Sequence, residues 1–192
     1  STNIPTVNIA NQWNIDSFKV RILMSLFSSN QVTISMLKKS IITGRVIPPL
    51  INIQPLSRKK VQPNLFVAYT AYDGIFVETL NRIVIKAKKE YGSIPFQVHL
   101  FCPKPKRIDS SIQWHNCNKK EFQKYLQRCQ AVLCASGNQL IQECVLSNIP
   151  VYTMPCSYKH FEQAHNTTKY IKLGYAQKMT SNLSLKNIPL SN

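Results

Sequence analysis

From Asn64 onward the sequence alternates short apolar runs with amphipathic stretches, and this alternation constrains the fold more than any other feature. The run 64–70 (NLFVAYT) is short, apolar and rich in β-formers, as a buried strand requires. Residues 76–91 then place apolar side chains at Phe76, Val77, Leu80, Ile83, Val84, Ala87 and Tyr91. That spacing is helical, and Gly92 is a natural stop. The same reading gives a strand over 96–101, a basic loop, a strand over 111–114 and a helix over 119–129. After these come a strand over 131–135, a helix over 138–147, a strand over 150–154 and a helix over 160–173 ended by Gly174. Strand–helix alternation with short apolar strands means an α/β domain whose sheet is parallel.

Ahead of this domain the pattern is less regular. Residues 4–10 read as a short strand and 17–27 as a helix or an interfacial segment. The stretch 43–63 holds four prolines and the basic triplet Arg58-Lys59-Lys60, and so reads as an extended connector. No run approaches the roughly 18 apolar residues of a membrane-spanning helix. The first residues also lack the basic and apolar pattern of a signal peptide. Because the chain opens on Ser-Thr-Asn without a Met, it is expected to be a fragment, a processed product or a trimmed form. The six cysteines include no C-x-x-C pair and no His at zinc-ligand spacing. They read as reduced thiols, several of them buried, in a cytoplasmic protein.

Charge narrows the partners without naming a function. Lys and Arg number 24 against 8 Asp and Glu, a net charge of +16. Such a field favours phosphates, acidic lipid or nucleic acid, although a Lys- and Asn-rich composition can also serve solubility alone. Short basic clusters at Arg58-Lys59-Lys60 and at Lys104-Pro105-Lys106-Arg107 fall on loops. Membrane surface, nucleic acid and plain solvent exposure are all open for them.

The stretch with the most chemistry is 131–155, AVLCASGNQLIQECVLSNIPVYTMP. It reads as strand, Ser-Gly turn, helix and strand. In open α/β sheets ligands sit at the carboxyl ends of strands, beside helix N-termini. Ser136 and Gly137 stand at such a place. Glycine lets the backbone approach a ligand, and the amides from Asn138 onward aim N–H groups at an arriving anion. A plain connection would look the same, so Glu143 sharpens the reading. It falls at the edge of the stripe formed by Leu140, Cys144 and Ser147, one and a half turns into the helix. A carboxylate there can accept from the two adjacent hydroxyls of a ribose. Next, a polar loop after Pro155 leads into a helix opening with Glu162-Gln163, a pair that can take up sugar hydroxyls. His160 precedes the pair, while Thr70 and Asp73 follow the first strand of the domain. All three are crevice candidates, with a polar-loop role for His160 and a turn-forming role for Asp73 as the alternatives.

The order S-G, a Glu six residues later, x-P-V-x-x-x-P, then E/Q-Q-x-x-N and finally L-G-Y runs from Ser136 to Tyr175. It resembles the C-terminal half of two-Rossmann-domain (GT-B) glycosyltransferases. The likeness is to the group holding the lipid-II-forming N-acetylglucosaminyltransferase and the galactolipid synthases. The resemblance implies a Rossmann-like parallel sheet with helices on both faces over 64–192. Residues 1–50 would be the tail of an N-terminal domain, and 51–63 the connector. Ile4 to Gln12 and Val46 to Pro49 look like the corresponding segments of relatives. It also implies that Ser136, Gly137 and Asn138 hold the donor diphosphate, Glu143 the ribose, and Glu162 and Gln163 the transferred sugar. Asn166 matches the motif in a mainly structural role. The donor expected is a UDP-sugar, with no cofactor and no metal.

Two departures bear on function. Where many relatives have a Gly-rich loop after the first strand of this half, Thr70-Ala71-Tyr72-Asp73-Gly74 has one glycine, and Trp13 stands where relatives often carry His. Enzymes of this kind are about twice as long, so the acceptor site and general base are expected on a missing N-terminal domain or a partner chain. A lipid acceptor at an anionic membrane face is the first expectation and nucleic acid the second, with the protein cytoplasmic or peripheral at the membrane. A non-catalytic nucleotide-sugar-binding or interaction module is the alternative.

Overall fold

A computed structural model describes residues 7–11, 30–34, 46–47, 55–71, 74–155 and 161–190. The chain divides into two units, Ser1–Ile53 and Gln54–Asn192. In the first, β1 (Val7–Asn11), β2 (Asn30–Ile34) and β3 (Val46–Ile47) form a parallel sheet in that order. Val7 pairs with Asn30 and Thr33 with Val46, so two residues of the proline-rich stretch are strand. The helix or interfacial segment expected over 17–27 lies outside the described residues.

The second unit begins before the regular alternation does. Residues 55–62 lie along it: the Leu56 amide donates to Ser147 Oγ at 2.9 Å, and the Lys59 and Gln62 amides donate to the carbonyls of Gln127 and Arg128. Then follow β4 (Leu65–Tyr69), α1 (Ile75–Tyr91), β5 (Gln97–Phe101), β6 (Ile112–His115), α2 (Lys119–Leu126) and β7 (Ala131–Ala135). After them come α3 (Asn138–Leu146), β8 (Val151–Met154), α4 (Phe161–Lys172), β9 (Gln177–Lys178) and a 3-10 turn at Leu185–Asn187. The strands pair in the order β6-β5-β4-β7-β8-β9, all parallel. This is the doubly wound Rossmann order, in which the direction of strand addition reverses between β4 and β7. Ligand crevices open at the carboxyl side of that reversal, so topology alone directs attention to Tyr69 and Ala135 and the residues after them.

Side-chain parity distributes the core over both faces of the sheet. Phe66, Ala68, Val98, Leu100 and Leu133 pack against Phe76, Leu80, Ile83, Val84 and Ala87 of α1, with Leu185 and Ile188 of the tail added. The intervening residues Leu65, Val67, Phe101, Val132, Cys134 and Val151 pack against Leu126 of α2, Leu140, Ile141 and Cys144 of α3, and Tyr170 of α4. Helices therefore cover both faces, as the resemblance implied. Gly92 (φ 56°) and Gly174 (φ 75°) take positive φ values, which glycine adopts without strain, just past the ends of α1 and α4, the two stops expected from the sequence.

Candidate functional site

The turn after β7 leads straight into α3. Gly137 is the N-cap residue with φ −70° and ψ 124°, and no side chain caps the helix. Its amide donates to the Ala135 carbonyl, and its carbonyl accepts from Ile141. Neither backbone nor packing demands a glycine here. The φ suits any residue, and an added Cβ would meet only Ala135 O at 3.8 Å. What Gly137 does border is a cavity of about 480 Å³. That volume is within the range of small-molecule sites.

The cavity lies where topology places a ligand. Its floor comes from Tyr69 and Phe101 at the carboxyl ends of β4 and β5, and one wall is Gly137, Gln139, Leu140 and Glu143 of α3. The opposite wall is Cys117, Asn118, Lys119, Phe122 and Gln123 at the start of α2. Glu143 is half-buried, and Gln139 Nε2 donates to its Oε1 at 3.1 Å across one helical turn. That bond leaves most of the carboxylate's acceptor capacity available to a ligand. Burial, with the Cys117 sulfur adding to it, raises the Tyr69 hydroxyl above its ordinary range, so at neutral pH it remains a donor.

The α2 wall is held by its own network. Asn118 Oδ1 accepts from the amides of Lys120 and Glu121 at 3.0 and 3.2 Å, capping the helix, and Glu121 lies 2.8 Å from His115 Nδ1. His115 Nε2 is 2.9 Å from Nδ1 of His99, which is buried under Tyr125 with ring centroids 4.0 Å apart. Burial drives the His99 imidazole down to about 4, helped by His115 and opposed by Glu121. His99 is therefore neutral at physiological pH.

Ser136 stands differently from Gly137. It is fully buried, and its hydroxyl bonds Thr153 Oγ1 at 2.7 Å and Thr167 Oγ1. The turn thus faces the cavity with glycine and backbone, and faces the core with the serine side chain. Thr70 is also buried; its amide donates to the Phe101 carbonyl at 3.2 Å, and its neighbour Tyr69 lines the cavity. Asn138 opens α3, while Glu162 and Gln163 lie in the first turn of α4; the side chains of all three lie outside the description. Asp73 and His160 are outside the described residues altogether. Of the sequence candidates, Gly137 and Glu143 are brought together in one cavity. Sequence reading missed Gln139 and the α2 wall. The i, i+4 spacing of Gln139 and Glu143 was a usable signal.

Cys102, Cys129, Cys134 and Cys144 are buried free thiols and Cys117 an exposed one. Burial pushes the Cys129 thiol up to about 12 against the pull of Arg58, which leaves it inert. Among the described residues, no group of three or more His, Cys, Asp or Glu could hold a metal ion. Nor, among them, is any helix long and apolar enough to cross a membrane.

The model for glycosyl transferase family 1 matches residues 11–189. The chain belongs to that family. Solved structures agree with this glycosyl transferase family 1 assignment in fold. The calicheamicin glycosyltransferase CalG4 matches with a TM-score of 0.54 at 12% identity, over 92% of this chain and 56% of CalG4. Acinetobacter baumannii MurG matches with a TM-score of 0.56 at 11% identity, over 97% of this chain and 56% of MurG. The glycosyltransferase of kitacinnamycin gives 0.54 at 15% identity, over 87% of this chain and 46% of that one. At such identities the shared property is the GT-B fold. The family 1 chain spans about half the length of these structures, between 46% and 56%. No curated protein sequence matches it.

Proposed function

We propose that residues 54–192 bind a nucleotide sugar, UDP-linked, and form the donor half of a site for inverting glycosyl transfer. One observation carries the reading: Gly137 and Glu143 border the same cavity, at the carboxyl side of the strand reversal. The uncapped amides at the start of α3 and the helix dipole would hold the diphosphate. Ser136 would contribute its backbone and Asn138 its amide. Glu143, oriented by Gln139, would accept from the ribose hydroxyls, and Glu162 and Gln163 would take the sugar. Thr70, Asp73 and His160 are further crevice residues on this reading. In the transfer, an acceptor oxygen bonds the anomeric carbon from the face opposite the phosphate. The bond from that carbon to the diphosphate oxygen breaks, and the nucleoside diphosphate leaves with the electron pair. The acceptor's proton passes to a base outside residues 54–192, on another domain or a partner chain. The positive end of α3 stabilises the departing charge without a metal.

The basic surface fits an acceptor held at an anionic lipid face, in a cytoplasmic or membrane-peripheral setting. Co-sedimentation with vesicles rich in acidic phospholipid, abolished by high salt, is the outcome expected. Preference for nucleic acid over such vesicles would overturn that choice of acceptor. A second reading is a non-catalytic nucleotide-sugar-binding or interaction module.

Calorimetric titration with UDP and UDP-sugars tests the donor site. Hydrogen bonds to a charged group contribute about 1.5–3 kcal/mol, so Glu143→Ala should weaken binding by roughly 10- to 150-fold while leaving folding intact. A wild-type chain that binds no nucleotide would sink the proposal. Binding without turnover, even when extract or candidate partner chains are added, would select the module reading.

A further inference from the structure

Three buried hydroxyls meet behind the Ser136-Gly137 turn. Ser136 comes from the turn itself, Thr153 from β8 and Thr167 from the second turn of α4. Thr153 Oγ1 donates to the Cys134 carbonyl at 3.0 Å, so in the 2.7 Å contact between Thr153 and Ser136 it is serine that donates. Thr167 Oγ1 bonds the same serine oxygen. Ser136 and Thr153 are 0% exposed and Thr167 7%, so the bonds among them lie out of water and are costly to lose. Apolar contacts tolerate sliding; two directional bonds meeting at the Ser136 oxygen, one of them to a threonine anchored on the Cys134 carbonyl, do not.

The position of Thr167 along α4 gives this arrangement a use. The helix is a rigid rod rising about 1.5 Å per residue, so the turn holding Glu162 and Gln163 lies roughly 6–8 Å nearer its start. Where Thr167 is pinned, that first turn is placed as well. Ser136, the residue it is pinned to, adjoins the cavity-lining Gly137.

We propose that Thr167 is a positioning residue which, through Ser136 and Thr153, sets the distance between the anion-facing turn and the first turn of α4, and thereby determines which sugar is accepted beyond the diphosphate. This rests on the donor-site reading above. The test compares the affinities of the full chain for UDP and for whichever of UDP-glucose and UDP-N-acetylglucosamine it binds more tightly. Thr167→Val, which keeps the shape and removes the hydroxyl, should weaken UDP-sugar binding about tenfold and leave UDP within twofold. Thr167→Ser should restore most of the difference. If Thr167→Val does not melt cooperatively, Thr153→Val, which loosens the same cluster from β8, is read in its place. Equal weakening of both ligands, or an unchanged ratio, overturns the positioning role while the donor site stands. A wild type that gains nothing from the sugar overturns it too, and one that binds neither ligand takes the donor site down with it.

Discussion

The two faces of the six-stranded sheet share their strands but not their chemistry. Towards α1 the buried strand residues run Phe66, Ala68, Val98, Leu100, Ile112, Ala131, Leu133, Ala135 and Tyr152, with no charged or amide side chain among them. Towards α2, α3 and α4 the apolar residues are interleaved with His99 and Thr153, and meet Ser136, Gln142, Ser147 and Thr167. The first face is held by contacts that are individually weak, numerous and indifferent to direction. The second is held in part by bonds that specify angle as well as distance. The cavity is built from the helices of the second face. Buried hydroxyl and imidazole contacts between side chains are concentrated on the second face, whereas the side-chain bonds made by α1 run along its rim, as in Lys88 with Asp109 and Ser184 Oγ donating to Glu90.

The largest effect that would break this contrast lies on the apolar face. Phe76 is fully buried there, and Phe76→Ala should destabilise the second unit by about 3–5 kcal/mol, read as a large drop in thermal midpoint or loss of a cooperative melt. A change below about 1 kcal/mol would mean that the α1 face is not the scaffold.

His99 offers the next largest effect, on the polar face. Its imidazole titrates near 4 when folded and near 6.5 when unfolded, so between those values the unfolded chain binds the extra proton. The contribution of neutral His99 is fully present above pH 6.5 and is lost as pH falls towards 4, on the order of 1–3 kcal/mol. Melting at a series of pH values should show that decline, and His99→Leu should flatten it. An equal slope in the variant would assign the titration elsewhere.

Gly137→Ala is the mildest change and the sharpest separator of stability from binding. The existing φ and the 3.8 Å contact accommodate a methyl group, so folding should be unchanged or improved by about 0.4–1 kcal/mol. UDP binding should weaken all the same, because the methyl would intrude on a surface that borders the cavity. Unaltered UDP affinity would show that the ligand does not approach this turn.

Much of this was legible beforehand, for reasons that particular residues make plain. The seven positions that carry the helical spacing in 76–91 are the seven buried residues of α1, while the eighth apolar residue, Ile85, falls off that face and is exposed. Strand and helix ends from β4 to α4 fell within one to three residues of expectation. β9 was missed: its two residues, Gln177 and Lys178, are exposed and carry no periodicity, and it exists because the edge of β8 offers backbone partners. The α2 wall was missed since only Leu126 of that helix is buried, too little to mark a face. The inward turn of the Ser136 hydroxyl was readable in principle. Val132, Cys134 and Ser136 share one parity, and the first two point to the α3 side. A short polar side chain beside a glycine nonetheless suggests a ligand before it suggests a core.

The strand order has a further consequence, for how the molecule comes into being. β4 lies at the centre of the sheet, where Phe66 pairs with Val98 on one side and with Ala131 on the other. A chain leaving the ribosome can close β4, α1 and β5 into a local unit early. The second seam must wait for β7, a longer loop to close and a slower step. The cavity lies across that later seam, so it is absent from any half-folded chain. A nucleotide would therefore recognise only molecules that have completed folding, and its binding would hold the last-formed seam shut.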